Sequence, residues 1–286
     1  MGVSAEVASL AGWFDHRKPS FGAGESYRRA LELLDAEGSN DAIVHVGHST
    51  HLLSIASARF LTDPWFFDPA FGALEHEASA AVAPEHVGRL DAVLVSHDHP
   101  DHADLRAIDR LDKRATVVVA TRELAAKARA LHFSAVTVLP PWESVTIGAT
   151  TVTAVPALHD VYEIGFVLSS ARRRVYFAGD TRLHPDIPAI AERFTPDVAI
   201  LPVDGTRFRG GPPQTMTPED AARAVRTLGA KLVVPSHAEA IYSDALAEHV
   251  LTSAVARARA RFADVMASSL PRVRCVVPGP GDRILF

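Results

Sequence analysis

Apolar positions in this chain fall into many short runs. After a segment, "SYRRALELLDAEG", with apolar residues at helical spacing and Gly38 as a stop, come "AIVHV", "HLLSIA" and "ARFLT" in quick succession. Their β-branched and aliphatic content and short separators predict an antiparallel meander. Further strands are expected at "DAVLVS", "ATVVVA", "TVTAVPA", "IGFVLSS", "RRVYFAG", "DVAILPV" and "KLVVPS". Helices fall between them. "TRELAAKARAL" starts at a Thr121 cap, and "TPEDAARAVRTLG" has Thr217 as cap, Pro218 at the first helical position and Gly229 as terminator. A long helix over about residues 243–267 and a terminal strand "VRCVVP" complete the pattern.

Strand runs come first, then strand–helix alternation, then strands and helices again. That order predicts an α/β fold of two packed sheets with helices outside. Periodicity alone is compatible with other α/β folds. We expect a single domain over residues 1–286, with 1–40 a helical lead-in and 243–286 a C-terminal helix and strand.

A chain of 286 residues can bury a sizeable core, and 48% hydrophobic with 22% charged residues is ordinary for a globular protein. The net charge of -5, without clustered Lys and Arg, argues against a nucleic-acid-binding surface. It leaves room for a small anionic substrate held by one or two arginines. Arg172 to Arg174 read as a hairpin turn, and "ARARAR" at 256–261 as an exposed helix face. The single cysteine, Cys275, rules out an internal disulfide framework and a cysteine metal cage; its apolar setting suggests a buried strand. With no apolar run of about 18 residues, no membrane span is expected, and cytoplasmic location is the default. The final helix could pack on the sandwich or on a second subunit, so a homo-oligomer stays open.

The informative stretch is "VLVSHDHPDHAD", where an apolar run passes straight into histidines and aspartates. In an extended segment side chains at i and i+2 point the same way, so His97 and His99 can grip one ion, with Asp101 and His102 turned toward a second. His159 follows "TVTAVPAL", Asp180 follows "RRVYFAG" and His237 follows "KLVVPS". Singly these are a loop histidine, a capping aspartate and a buried histidine; recurring after apolar runs, they form a ligand set. Imidazole and carboxylate without thiolate suit zinc, and also manganese or iron.

On "HVGHSTHLL", "TDPWF", "VLVSHDHPDH", "ALHD", "EIGFVL", "VYFAGDT", "LPVDG", "MTPEDAARAV" and "VVPSH", the chain resembles the metallo-β-lactamase superfamily of metallohydrolases. It looks closest to the branch of ascorbate-6-phosphate lactonase-like and N-acyl-phosphatidylethanolamine phospholipase D-like proteins. The resemblance covers about residues 42–240. It implies a four-layer αββα sandwich with the metal site at the edge of the sheets. His97, His99 and His159 would hold one divalent ion, Asp101, His102 and His237 another, and Asp180 would bridge them. A hydroxide shared by the ions would cleave a small ester, a phosphodiester or a lactone, with Asp101 orienting it and passing its proton on. Asp63, in the family's "DP" element, would orient a ligand histidine, and His48, in "GHST", would reach the pocket mouth as a further catalytic residue.

Substrate contacts are expected from His184 and from Arg207 and Arg209 in the irregular loop "DGTRFRGGPPQTMTPED". The aromatics of residues 65–88 suggest a lid. Two other readings are an iron-dependent redox enzyme of the same fold and a non-catalytic metal-binding regulatory protein.

Overall fold

The three aliphatic runs after residue 41 form the expected meander: β1 (Ala42–Gly47), β2 (Thr50–Ile55) and β3 (Ala58–Thr62), all antiparallel. The structure, a computed structural model, describes residues 18–37, 41–208, 211–242, 251–252 and 257–286. Beyond β3 the pairing turns parallel, through β4 (Ala92–Val95), β5 (Thr116–Val119) and β6 (Val136–Val138). The second sheet repeats this plan. β7 (Ser144–Ile147), β8 (Thr150–Pro156), β9 (Ile164–Ser169) and β10 (Arg174–Phe177) are antiparallel. β11 (Val198–Pro202), β12 (Leu232–Ser236) and β13 (Arg274–Cys275) then add in parallel. The chain returns through β14 (Arg283–Leu285), which pairs with β1 and completes the first seven-stranded sheet.

Alternation along the strands shows how the layers meet. Phe166 and Leu168, Val175 and Phe177, Val198 and Ile200 face the first sheet within one apolar core. Val167, Tyr176, Ala199 and Leu201, between or beside them, belong to a second core. Strands buried on both faces need near-continuous apolar sequence, which is why these segments stood out. The second core is closed by α4 (Ile187–Phe194), α5 (Pro218–Leu228) and α6 (Ala258–Ser269), through Ile190, Val225 and Phe262. On the first sheet, α1 (Glu25–Glu37) packs on β1, and α3 (Arg122–Ala130) on β5 and β6, while α2 (Leu105–Ile108) is a short turn after β4. The result is the αββα sandwich.

Local signals were reliable at capped helices. Thr121 Oγ1 accepts the Leu124 N–H at 3.2 Å. Thr217 and Asp220 form a reciprocal capping box, and Gly229 ends α5 at φ 69°, where a side chain would be strained. The C-terminal expectation needs correction. Instead of one helix over 243–267, Leu251–Thr252 is a strand paired with Arg207–Phe208, and α6 starts at Ala258 after the left-handed Arg257. Residues 243–250 and 253–256 lie outside the described residues, as do 1–17 of the lead-in. Cys275 is partly buried rather than enclosed. None of the helices in the described residues is long and apolar enough to cross a membrane.

Candidate metal centre

Loops leaving one edge of the sandwich carry every predicted ligand. His97 to His102 follow β4, His159 follows β8, Asp180 follows β10 and His237 follows β12. Both sheets therefore feed one site at the strand ends, where α/β folds commonly bind ligands.

The loop after β4 is fixed from beneath. Asp63 is fully buried, and its Oδ1 accepts the Ser96 N–H at 2.7 Å. Its Oδ2 accepts the Ser96 hydroxyl at 2.6 Å and lies 2.8 Å from Nδ1 of His102. The N–H groups of His102 and Ala103 both donate to the His99 carbonyl, closing a tight turn. Asp104 then caps α2 and accepts the N–H groups of Phe66 and Phe67. β4 ends at Val95, so His97 and His99 sit in this turn rather than on a strand, yet they still converge.

Two groups of donors result. His97, His99 and His159 have ligand atoms within 4.8 Å of one another, as do His48, Asp101, His102 and His237. Asp180 stands beside the second group, with Oδ2 3.0 Å from Nε2 of His102 and 2.8 Å from Nε2 of His237. Its charge also acts on His97 and His159. Asp101 Oδ2 lies 3.7 Å and 3.6 Å from the Nε2 atoms of His102 and His237.

Electrostatics follow from this crowding. Burial pushes His97 down to about 3 and His99 down to about 4, so both stay neutral and offer lone pairs. Burial opposes charge on His102 and His237 too, but Asp180 between them raises both well above the ordinary value. Burial would likewise raise Asp180, yet the two imidazoles hold its carboxyl well below the usual range.

A divalent cation fits these residues. Nε2 of His97 and Oδ1 of both Asp101 and Asp180 are buried without a protein partner. Such orphaned groups are costly in an interior, and these aim from nitrogen and carboxylate donors suited to zinc, manganese or iron.

Residues that the sequence reading did not single out complete the cage. Glu163, at the start of β9, accepts the Asp180 N–H at 2.6 Å and lies 3.2 Å from His97 Nδ1; burial pushes its carboxyl up to about 7. Asp204, after β11, lies 3.2 Å from His237 Nδ1. Asp160 lies 2.8 Å from His159 Nε2, and the Gln214 carbonyl accepts from His159 Nδ1 at 3.1 Å. Glu163 and Asp204 sit in "EIGFVL" and "LPVDG", so a carboxylate abutting an apolar run was the available signal.

The remaining expected residues divide. His48 is 1% exposed, which corrects its placement at the mouth: its Nε2 lies behind Asp101, 3.8 Å away, and its N–H donates to Glu239. His184 is buried, with Nδ1 3.6 Å from Asp186, and is not among the residues lining the cleft. Arg207 is in the short Arg207–Phe208 strand, so that loop is not wholly irregular; Thr206 and Phe208 line the cleft and Arg207 does not. Arg209 lies outside the described residues. The 65–88 segment does reach the site, since Phe71 and Leu74 line the cleft and the Phe71 ring is 5.1 Å from that of His99. The cleft is partly open to solvent, with a cavity volume of about 80 Å³.

Comparison with known proteins agrees with this fold. The profile of the beta-lactamase superfamily domain matches residues 58–238. A metal-dependent hydrolase of the UPF0173 group from Pyrobaculum calidifontis is 34% identical over 201 residues, covering 67% of this chain and 81% of that protein. A second, from Caldivirga maquilingensis, is 29% identical over 83% of this chain and 94% of its own length. Among solved structures, a possible metal-dependent hydrolase from Veillonella parvula superposes with a TM-score of 0.74 at 19% identity, over 87% of this chain and all of its own.

Proposed function

Because the chain belongs to the metallo-β-lactamase superfamily and is a metal-dependent hydrolase of that fold, we propose that it holds two divalent ions and cleaves a small ester. The observation that carries this reading is Asp180, in contact with His102 and His237 while its charge also acts on His97 and His159. A carboxylate can give one oxygen to each of two ions, which an imidazole cannot. His97, His99 and His159 would hold one ion, and Asp101, His102 and His237 the other. Zinc suits the set best, with manganese and iron next.

When bound, such ions supply Lewis acidity and a water acidified toward neutral pH. The protein's own groups do the positioning. Asp101 stays ionised, because His102 and His237 outweigh its burial, and it lines the cleft with Oδ1 unpartnered. It accepts a hydrogen bond from the attacking water and passes the proton toward the leaving group. Asp63 orients His102 through Nδ1 and the Gln214 carbonyl orients His159, while Asp204 lies 3.2 Å from Nδ1 of His237 and balances its charge. His48, behind Asp101, is a positioning residue.

The test is elemental analysis of protein purified without a metal-affinity tag. About two zinc or manganese ions per chain are expected, with His99→Ala and Asp180→Ala folding normally but losing metal and esterase turnover. One ion or none, unrecovered on reconstitution, would overturn the dinuclear reading. Two irons would favour a redox enzyme, and two ions without turnover on any ester a regulatory protein.

A further inference from the structure

The walls of the cleft carry information that its metal-binding floor does not. Phe71, Leu74, Phe208, Ala240 and Tyr242 form its apolar side. Behind them, Trp65 packs with Ala70 and Leu74 against Ala240 and Tyr242, and stacks on His76 at 3.7 Å. That backing makes the wall firm rather than a loose loop surface. The apolar surface also continues outward: Phe71 and Phe208 are both partly exposed at the mouth. Leu158, Val161 and Tyr162, flanking His159, are exposed as well.

Charge points the same way. Among the described residues no lysine or arginine lines the cleft, whereas Asp160 and Asp204 do. Arg182, next to a lining residue, gives its Nη2 hydrogen to Gln214 Oε1 at 2.7 Å. An anionic group lying along these walls would give up its hydration, meet no lysine or arginine among the described lining residues and face carboxylates. An alkyl or aryl group would instead replace water against apolar carbon.

We infer that the cleft takes a substrate whose group beside the scissile bond is apolar and uncharged, such as an acyl ester or lactone with an aliphatic arm. This rests on the ester-hydrolase reading and narrows it away from phosphodiesters with sugar or phosphate flanks. In the reaction, water oxygen bonds to the carbonyl carbon and the bond from that carbon to the leaving oxygen breaks. The leaving oxygen takes up the proton, yielding an acid and an alcohol.

Metal-loaded protein is assayed with the p-nitrophenyl esters of acetate and hexanoate and with the p-nitrophenyl monoester of adipate, which matches hexanoate but ends in a carboxylate. Hexanoate should exceed both others in kcat/KM by roughly tenfold or more. Phe208→Ala should remove most of the gain over acetate, read as a fall in the hexanoate-to-acetate ratio of kcat/KM. Binding is read separately by saturation-transfer NMR with hexanoate and adipate, which share one carboxylate and differ at the far end. Signal on the hexanoate chain and none on adipate is the expected result. Equal or better use of the adipate compounds in either readout overturns the inference, and its loss on Arg209→Ala would name the cation responsible. If no ester turns over but hexanoate still binds selectively, the hydrolytic reading falls and the apolar cleft stands.

Discussion

Glu163 accepts the backbone N–H of Asp180 at 2.6 Å, so one strand of the second sheet sets the position of the residue proposed to serve both ions. Between them Gly179 adopts φ 66°, and a Cβ there would land on the Glu163 carboxylate. Gly179→Ala should therefore cost about 1–3 kcal/mol from strain alone and displace Asp180, with loss of bound metal. Glu163→Ala should cost a similar ~1–3 kcal/mol by leaving a buried N–H unpaired. Urea denaturation and metal content of both variants are the measurements. Wild-type values for both would reduce Glu163 to a bystander.

Asp63 holds Ser96 through two hydrogen bonds and His102 through one contact, all fully buried. Asp63→Ala should weaken metal binding by about 10–100-fold, the usual effect of removing the partner that orients a ligand histidine. Titration against a chromogenic chelator reads this directly. Unchanged affinity would mean that packing alone orients His102.

Arg259 was expected on an exposed face, and the structure instead ties it to Glu239 and to the Pro278 carbonyl. Glu239 in turn lies 2.6 Å from His45 Nε2 and accepts the His48 N–H at 2.9 Å. Arg259→Ala should cost about 1–2 kcal/mol, less than a fully buried pair because its side chain is 25% exposed. Arg261→Ala, whose pair with Glu219 is at the surface, should cost under about 1 kcal/mol. Equal losses in thermal melts would contradict the distinction.

Legibility along the chain tracked how many constraints acted on each residue. The buried parallel strands announced themselves because both faces must be apolar, and His97, His99, Asp101 and His102 because four donors share six positions. His159, Asp180 and His237 were visible as polar residues within three positions of the end of an apolar strand. Glu163, Asp204 and Glu239 were not chosen, since a lone carboxylate beside a strand looks the same as a turn or cap. The edge strands Val136–Val138 and Ser144–Ile147 were missed for a related reason: they are short and bury few residues fully. The helix expected over 243–267 rested on propensity, a weak prior that pairing of Leu251–Thr252 with Arg207–Phe208 overrides.

Cys275 offers a pH test remote from the donor cluster. Burial pushes its thiol up to about 11, from an ordinary value near 9. A raised folded-state pKa favours the folded state below pH 9, and that advantage disappears as pH climbs from 9 toward 11. Iodoacetamide should therefore label it slowly at pH 8 and readily in urea, and Cys275→Ala should flatten the stability curve between pH 9 and 11. Fast labelling of the folded protein at pH 8 would show the thiolate to be accessible.

Neither sheet carries a complete set of donors. The first contributes His97, His99, Asp101 and His102, the second His159, Asp180 and His237, and each candidate ion would draw on both. A chain severed between Val138 and Ser144 would leave two fragments, each with part of every cage. Any cation they captured together would act as a rivet between them, so that reassembly of the halves becomes a function of dissolved metal.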